Sequence, residues 1–104
     1  MSHYSPDGFV IIKHEGTYYV FGGFNGGYAG SDYWRRNSGI VKVEKAGDYY
    51  LLHGHSGSTY AVHPDTEDKL HSYSVCVLLT LLKANEGSEV IPFKQFLEEF
   101  GHDY

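Results

Sequence analysis

The densest cluster of side chains able to do chemistry is the run His53-Gly54-His55-Ser56-Gly57-Ser58-Thr59. Two histidines one residue apart on a strand share a face, a spacing that zinc and similar metals use. A third ligand would have to come from His14, Asp32 or His63, and nothing in the spacing requires one. No metal and no cofactor is therefore expected. The run also fails as the nucleophile elbow G-x-S-x-G, because position 58 is Ser58 and the segment leads into a strand. No Gly-Lys-Ser/Thr follows any glycine, so a P-loop is absent. Glu67-Asp68 and Glu98-Glu99 fall on predicted helix surfaces and read as solvated faces. An enzyme, metal-dependent or hydrolytic and built on His53 and His55, is the weakest of three readings.

Binding chemistry is better represented. Gly22-Gly23-Phe24-Asn25-Gly26-Gly27-Tyr28 and His55-Ser56-Gly57-Ser58 are glycine-rich turns of the kind whose successive N–H groups form anion-binding nests. Arg35 and Arg36, the only arginines, follow the first turn closely, and Tyr28, Tyr33 and Trp34 offer stacking planes. Guanidinium, aromatic faces, hydroxyls and amides are the groups that a small anionic, nucleotide-like ligand needs. The same residue types dominate protein interfaces, and a longer first loop could carry Tyr28, Tyr33, Trp34 and Arg35 into a partner. Two arginines in a chain of formal charge −5 favour the protein partner over a multiply charged anion. The expected site is Phe24, Asn25, Tyr28, Tyr33, Trp34, Arg35 and Arg36 with His53, His55, Ser56, Ser58 and Thr59. Self-association through this surface, or through Phe93 and Phe96, is a further option. Whether the two glycine loops converge on one rim is the observation that would separate a ligand pocket from a protein-binding projection.

The elements that must position these residues come in duplicate. Residues 8–23 read GFVIIKHEGTYYVFGG and residues 39–54 read GIVKVEKAGDYYLLHG, with the glycines, Val10 and Val41, and the pairs Tyr18-Tyr19 and Tyr49-Tyr50 coinciding. Glu15-Gly16 and Ala46-Gly47 supply tight turns between β-rich runs. A third strand follows in each unit, at residues 31–36 and 58–63. In the second unit Val41, Val43 and Leu51 alternate with Lys42, Glu44 and Tyr50, as a half-buried strand should. Val10-Ile11-Ile12 is apolar throughout, which implies that the first strand is covered on both faces. His63-Pro64 ends the β region, and Asp65 or Thr66 is placed to cap a helix with Leu70, Tyr73, Val77 and Leu81 on one face, which Leu78 and Leu82 widen. Asn85-Glu86-Gly87 stops it. Pro92 then opens a second helix whose stripe Phe93, Phe96, Leu97 and Phe100 faces the core, and Gly101 ends it. The predicted fold is α+β: two duplicated three-stranded antiparallel β-meanders form a bent sheet or small barrel, closed by two C-terminal helices. Its units are 8–36, 39–63 and 66–101 within a single domain, 1–104.

Ten tyrosines and a hydrophobic content of 41% belong to a folded domain rich in contact-forming residues. The acidic balance argues against general nucleic-acid binding, which rests on clustered basic residues. The one cysteine, Cys76, sits in an apolar run and reads as a buried structural thiol. The polar start lacks a signal-peptide core, and no apolar stretch is long enough to span a bilayer, so no membrane partner is expected and a cytoplasmic protein is. In size, acidity, aromatic richness and lack of catalytic motifs the chain resembles small phage-encoded proteins that inhibit host machinery or counter host defence. That resemblance implies a binder acting by occupancy in the host cytoplasm. It would block a host protein or, alternatively, sequester a nucleotide signal.

Overall fold

The computed structural model describes residues 2–25 and 32–101. Its strands are β1 (His3–Tyr4), β2 (Gly8–His14), β3 (Thr17–Phe24), β4 (Tyr33–Arg36), β5 (Ile40–Ala46), β6 (Tyr49–Gly54), β7 (Thr59–Val62) and β8 (Glu89–Ile91); the helices are α1 (Ser72–Ala84) and α2 (Phe93–Phe100). They make an α+β fold of two four-stranded sheets, ordered β4-β3-β2-β8 and β1-β7-β6-β5. The strands form neither the one bent sheet nor the small closed barrel that the sequence suggested. The reason lies at the sheet edges: β8 adds antiparallel to β2 and β1 adds parallel to β7, so each sheet is completed by a strand remote in sequence. Neither added strand was legible in the local pattern.

Two apolar layers follow. Phe9, Ile11 and Val20 from one sheet meet Ile40, Val43, Tyr50, Leu52, Tyr60 and Val62 from the other, and α2 adds Phe93, Phe96 and Leu97 to this inter-sheet core. Val10, Ile12 and Phe21 face the opposite way and pack under Leu78 of α1. The first strand is thus covered on both faces, by α1 on one side and by the second sheet with α2 on the other. Each fully buried large side chain stabilises by about 1.5–3 kcal/mol. Among the described residues the outer face of the second sheet has no such cover, and Val41 and Tyr49 are 58% and 47% exposed there.

The repeated sequences do not repeat in register. In the first hairpin His14 pairs with Thr17 around Glu15-Gly16, both left-handed, as a type I′ turn requires. In the second, Ala46 pairs with Tyr49, so the turn is Gly47-Asp48 and not Ala46-Gly47; of its two residues only Gly47 is left-handed. A one-residue slip turns every side chain to the other face of a strand. Tyr18 accordingly packs on the inter-sheet core and Tyr19 on the α1 side, whereas Tyr50 enters the inter-sheet core and Tyr49 faces out. A bulge between Ile40 and Lys42 absorbs the offset and lets Ile40 and Val43 share the buried face. The expected alternation is therefore corrected: Val41 is exposed and Tyr50 is buried.

The segment before α1 also departs from expectation. Pro64–Thr66 is a single 3₁₀ turn, with His63 accepting from the Asp65 N–H, and α1 starts only at Ser72. Tertiary hydrogen bonding outcompetes the helix. The Asp68 N–H donates to Phe9 O at 2.9 Å, and Glu67 bridges to Phe9 in parallel. Glu67 is not a solvated helix residue: its Oε2 accepts from the Phe93 N–H at 2.6 Å, at the N-terminus of α2. The expected apolar face packs on the first sheet through Leu70, just before α1, and through Val77, Leu78, Leu81 and Leu82 within it. Tyr73 of that face is exposed, however, and Cys76 is exposed instead of being a buried thiol, because Ser74 and Leu78 turn most fully to the sheet. The helix ends before Asn85, and α2 ends at left-handed Gly101, both as the sequence indicated.

Candidate functional site

Strand β4 is an edge strand, so its four residues alternate between two environments. Tyr33 stacks on Phe24 with ring centroids 4.7 Å apart and planes 4° apart. Arg35 lies over Tyr4, its guanidinium carbon 4.4 Å from the ring centroid. Tyr4 in turn packs against Tyr60 at 5.1 Å and edge-on to Phe24 at 6.3 Å. Burial pushes the Tyr60 phenol up, against the opposing pull of the Arg35 charge. Trp34 stacks on buried Phe21 at 5.5 Å on the α1 side, and Arg36 covers Tyr19 at 4.7 Å. The two arginines each cover a different tyrosine and do not converge on one anion.

The β6–β7 turn uses its amides internally. Gly54 N–H donates to Ser58 O, His55 N–H to Gly39 O, Gly57 N–H to Gly54 O, and Ser56 N–H to Ser38 Oγ. Four donors that an anion-binding nest would present are thus engaged within the protein, which corrects the nest expectation for this loop. Its counterparts Gly26, Gly27 and Tyr28 lie outside the described residues, and with them the question of convergence. The Asn25 N–H donates to Asp7 Oδ2 at 2.8 Å.

His53 and His55 also part company. The strand ends at Gly54, so the alternation that would align both imidazoles does not reach His55. His53 sits between Thr59 Oγ1 at 3.0 Å and Glu44 Oε1 at 2.6 Å. This hydroxyl–imidazole–carboxylate line stitches β7, β6 and β5 on the open face of the second sheet, where a reacting carbonyl would remain hydrated. His55 instead lines an open cleft of ≈ 510 Å³ between the sheets, with Thr17, Tyr18, Tyr19 and Ser38. Among the described residues, no three His, Cys, Asp or Glu side chains are grouped to hold a metal ion.

Beside that cleft is a polar hub that the sequence did not single out. Glu99 Oε1 accepts from Lys13 Nζ at 2.8 Å and from the Tyr18 hydroxyl at 2.6 Å, and Oε2 accepts from Gln95 Nε2 at 2.7 Å. The Lys13 hydrogen bond, then those of Tyr18 and Gln95, lower the Glu99 pKa to about 2. Glu99 is exposed on α2, as expected of a solvated face, yet it anchors three hydrogen bonds that the sequence did not indicate. Tyr4 and Tyr60, the other partners missed, could be found only from the long-range pairing of β1 with β7.

No family model, curated protein or solved structure matches the chain. Among the described residues no helix is long and apolar enough to cross a membrane.

Proposed function

We propose that this chain is a non-enzymatic binding protein that acts by occupying a protein partner, in the manner of the phage-type inhibitors of host defence proteins that it resembles. The observation that carries the reading is the edge strand β4, where Tyr33, 44% exposed, is held flat on Phe24 and Arg35 is held on Tyr4. Tyrosine and arginine are the residues that dominate interface energetics, and side chains already fixed by stacking lose little entropy on binding. The acidic body would steer the encounter with a basic partner in the host cytoplasm. We also read the two hairpin units as copies of one three-stranded meander, on the strength of their aligned glycines and Tyr-Tyr pairs.

The alternative, capture of a small nucleotide-like anion, draws less support, because Arg35 and Arg36 take separate positions and the β6–β7 amides are engaged. The test is quantitative capture from a host lysate with wild type, Tyr33→Ala/Arg35→Ala and a Tyr49→Ala control. Loss of one identified partner in the double variant alone, with unchanged far-UV circular dichroism, supports the reading; equal capture by all three sinks it. A rise in melting temperature with cyclic or linear nucleotides, absent in the Arg35→Ala variant, would favour the alternative.

A further inference from the structure

We propose that β5 is a self-association edge: two copies of the chain pair antiparallel through it to form one continuous sheet. Among the described residues, strand β5 pairs with β6 on one side and ends its sheet on the other. The closing pair of a two-residue hairpin exchanges both backbone hydrogen bonds, and such pairs then alternate along the ladder. Ala46, paired with Tyr49, is that closing residue, so Ala46, Glu44 and Lys42 turn their N–H and C=O groups toward β6. Val43 and Lys45 turn theirs to the free edge.

Only a few registers bring outward-facing groups of two antiparallel copies together, and charge separates them. With Val43 opposite the second copy's Lys45, Glu44 faces Glu44. With Val41 opposite Val43, Lys42 faces Lys42. With Lys45 opposite Lys45, like charges meet at the end of a short ladder. With Val43 opposite Val43, Lys42 of each copy stands directly across from Glu44 of the other, giving two cross-strand ion pairs. That register alone is charge-complementary. Both side chains can reach a second copy, being 65% and 47% exposed. Within the chain Glu44 Oε1 is held by His53 Nε2 at 2.6 Å and stands 3.8 Å from Lys42 Nζ, a loose exposed pair that the second copy's lysine can replace. The bulge beside Lys42 and the Gly47-Asp48 turn limit the ladder at its two ends. The result is a closed pair and not an open-ended fibril.

So short a contact belongs to the small, weak class of interfaces, and the dimer should appear only as concentration rises. Sedimentation velocity over about 10–500 μM should show the mass moving from monomer toward dimer, less so at high salt. Lys42→Glu and Glu44→Lys each turn two attractive pairs into two repulsive ones and should raise the dissociation constant roughly tenfold or more. The exchanged variant Lys42→Glu/Glu44→Lys rebuilds both pairs and should dimerise as wild type does. It also serves as the folding control. The proposal is overturned by a wild type that stays monomeric throughout, by single variants that associate unchanged, or by an exchanged variant that stays monomeric. Loss of the dimer in Leu79→Ser on the exposed face of α1, with Lys42→Glu unaffected, would overturn it in favour of that helix.

Discussion

Alanine at Gly8 should destabilise the protein by about 2.5–5 kcal/mol, against the sign that the local backbone alone would suggest. Gly8 is not in the left-handed region, so alanine meets no backbone strain there. By narrowing the unfolded ensemble it would by itself stabilise by about 0.4–1 kcal/mol. Space decides otherwise. An added Cβ would sit 1.8 Å from Lys69 O and 2.4 Å from Lys69 C, which are backbone atoms. Residues 66–69 must then withdraw, yet they are tied down: Lys69 N–H to Thr66 O at 3.2 Å, Asp68 N–H to Phe9 O at 2.9 Å, and Glu67 to the start of α2 at 2.6 Å. Overpacking costs about 1–3 kcal/mol. Loosening a neutral and a charge-assisted hydrogen bond adds about 1 and about 1.5 kcal/mol. The single tryptophan, Trp34, gives a fluorescence signal for urea unfolding. At Gly23, the strand partner, an added Cβ would meet only the side chains of Leu70 and Ser74, at 2.9 and 3.1 Å. Gly23→Ala should therefore cost less, about 1 kcal/mol. A Gly8→Ala midpoint equal to or above wild type, or a larger loss at Gly23, would refute the close crossing of residue 69 over β2.

Tyr50→Ala should lose about 3–5 kcal/mol and Tyr49→Ala under about 1 kcal/mol in the same urea assay, because only Tyr50 faces the inter-sheet core; equal losses would contradict the register. Glu67→Ala should cost about 1–2 kcal/mol by leaving the first N–H of α2 without its acceptor, whereas Glu67→Gln, which keeps an oxygen there, should recover part of it. Glu99 has a folded pKa of about 2 against an ordinary 4.5, so the stability it contributes is complete above the ordinary value and disappears as pH falls toward the folded one. The gap in melting temperature between wild type and Glu99→Gln should therefore close steadily on acidification from about pH 5 to about pH 2, and a gap constant with pH would refute the three-hydrogen-bond arrangement.

Much of the fold was legible because it is encoded locally. The β-rich runs around Glu15-Gly16 and Gly47 specify hairpins through turn chemistry, and Pro92 with Gly101 brackets α2 whatever the rest of the chain does. The all-apolar Val10-Ile11-Ile12 forecast a strand buried on both faces. The site was harder. Trp34 belongs to the α1-facing core, and His53 is held in a cross-strand line instead of standing ready for a ligand. Strand alternation alone could have separated Arg35 from Arg36, since neighbours on a strand take opposite faces. Nothing near Tyr4, Tyr60 or Glu99 in the sequence announced their roles, since each takes its partners from distant elements.

The sequence by itself determined the six hairpin-unit strands, their turns to within a residue and the presence of both helices, because those choices depend on near neighbours; β1, β8 and the start of α1 lay beyond it. Tertiary structure decided which face each strand shows. The same Tyr-Tyr pair is read in opposite senses in the two hairpins, since a shift of one residue at the turn inverts a strand of period two. It likewise decided that residues 67–69 cross β2 instead of continuing as a helix, because Phe9 O and the bare Gly8 offered a hydrogen bond and a close approach that no local pattern contains.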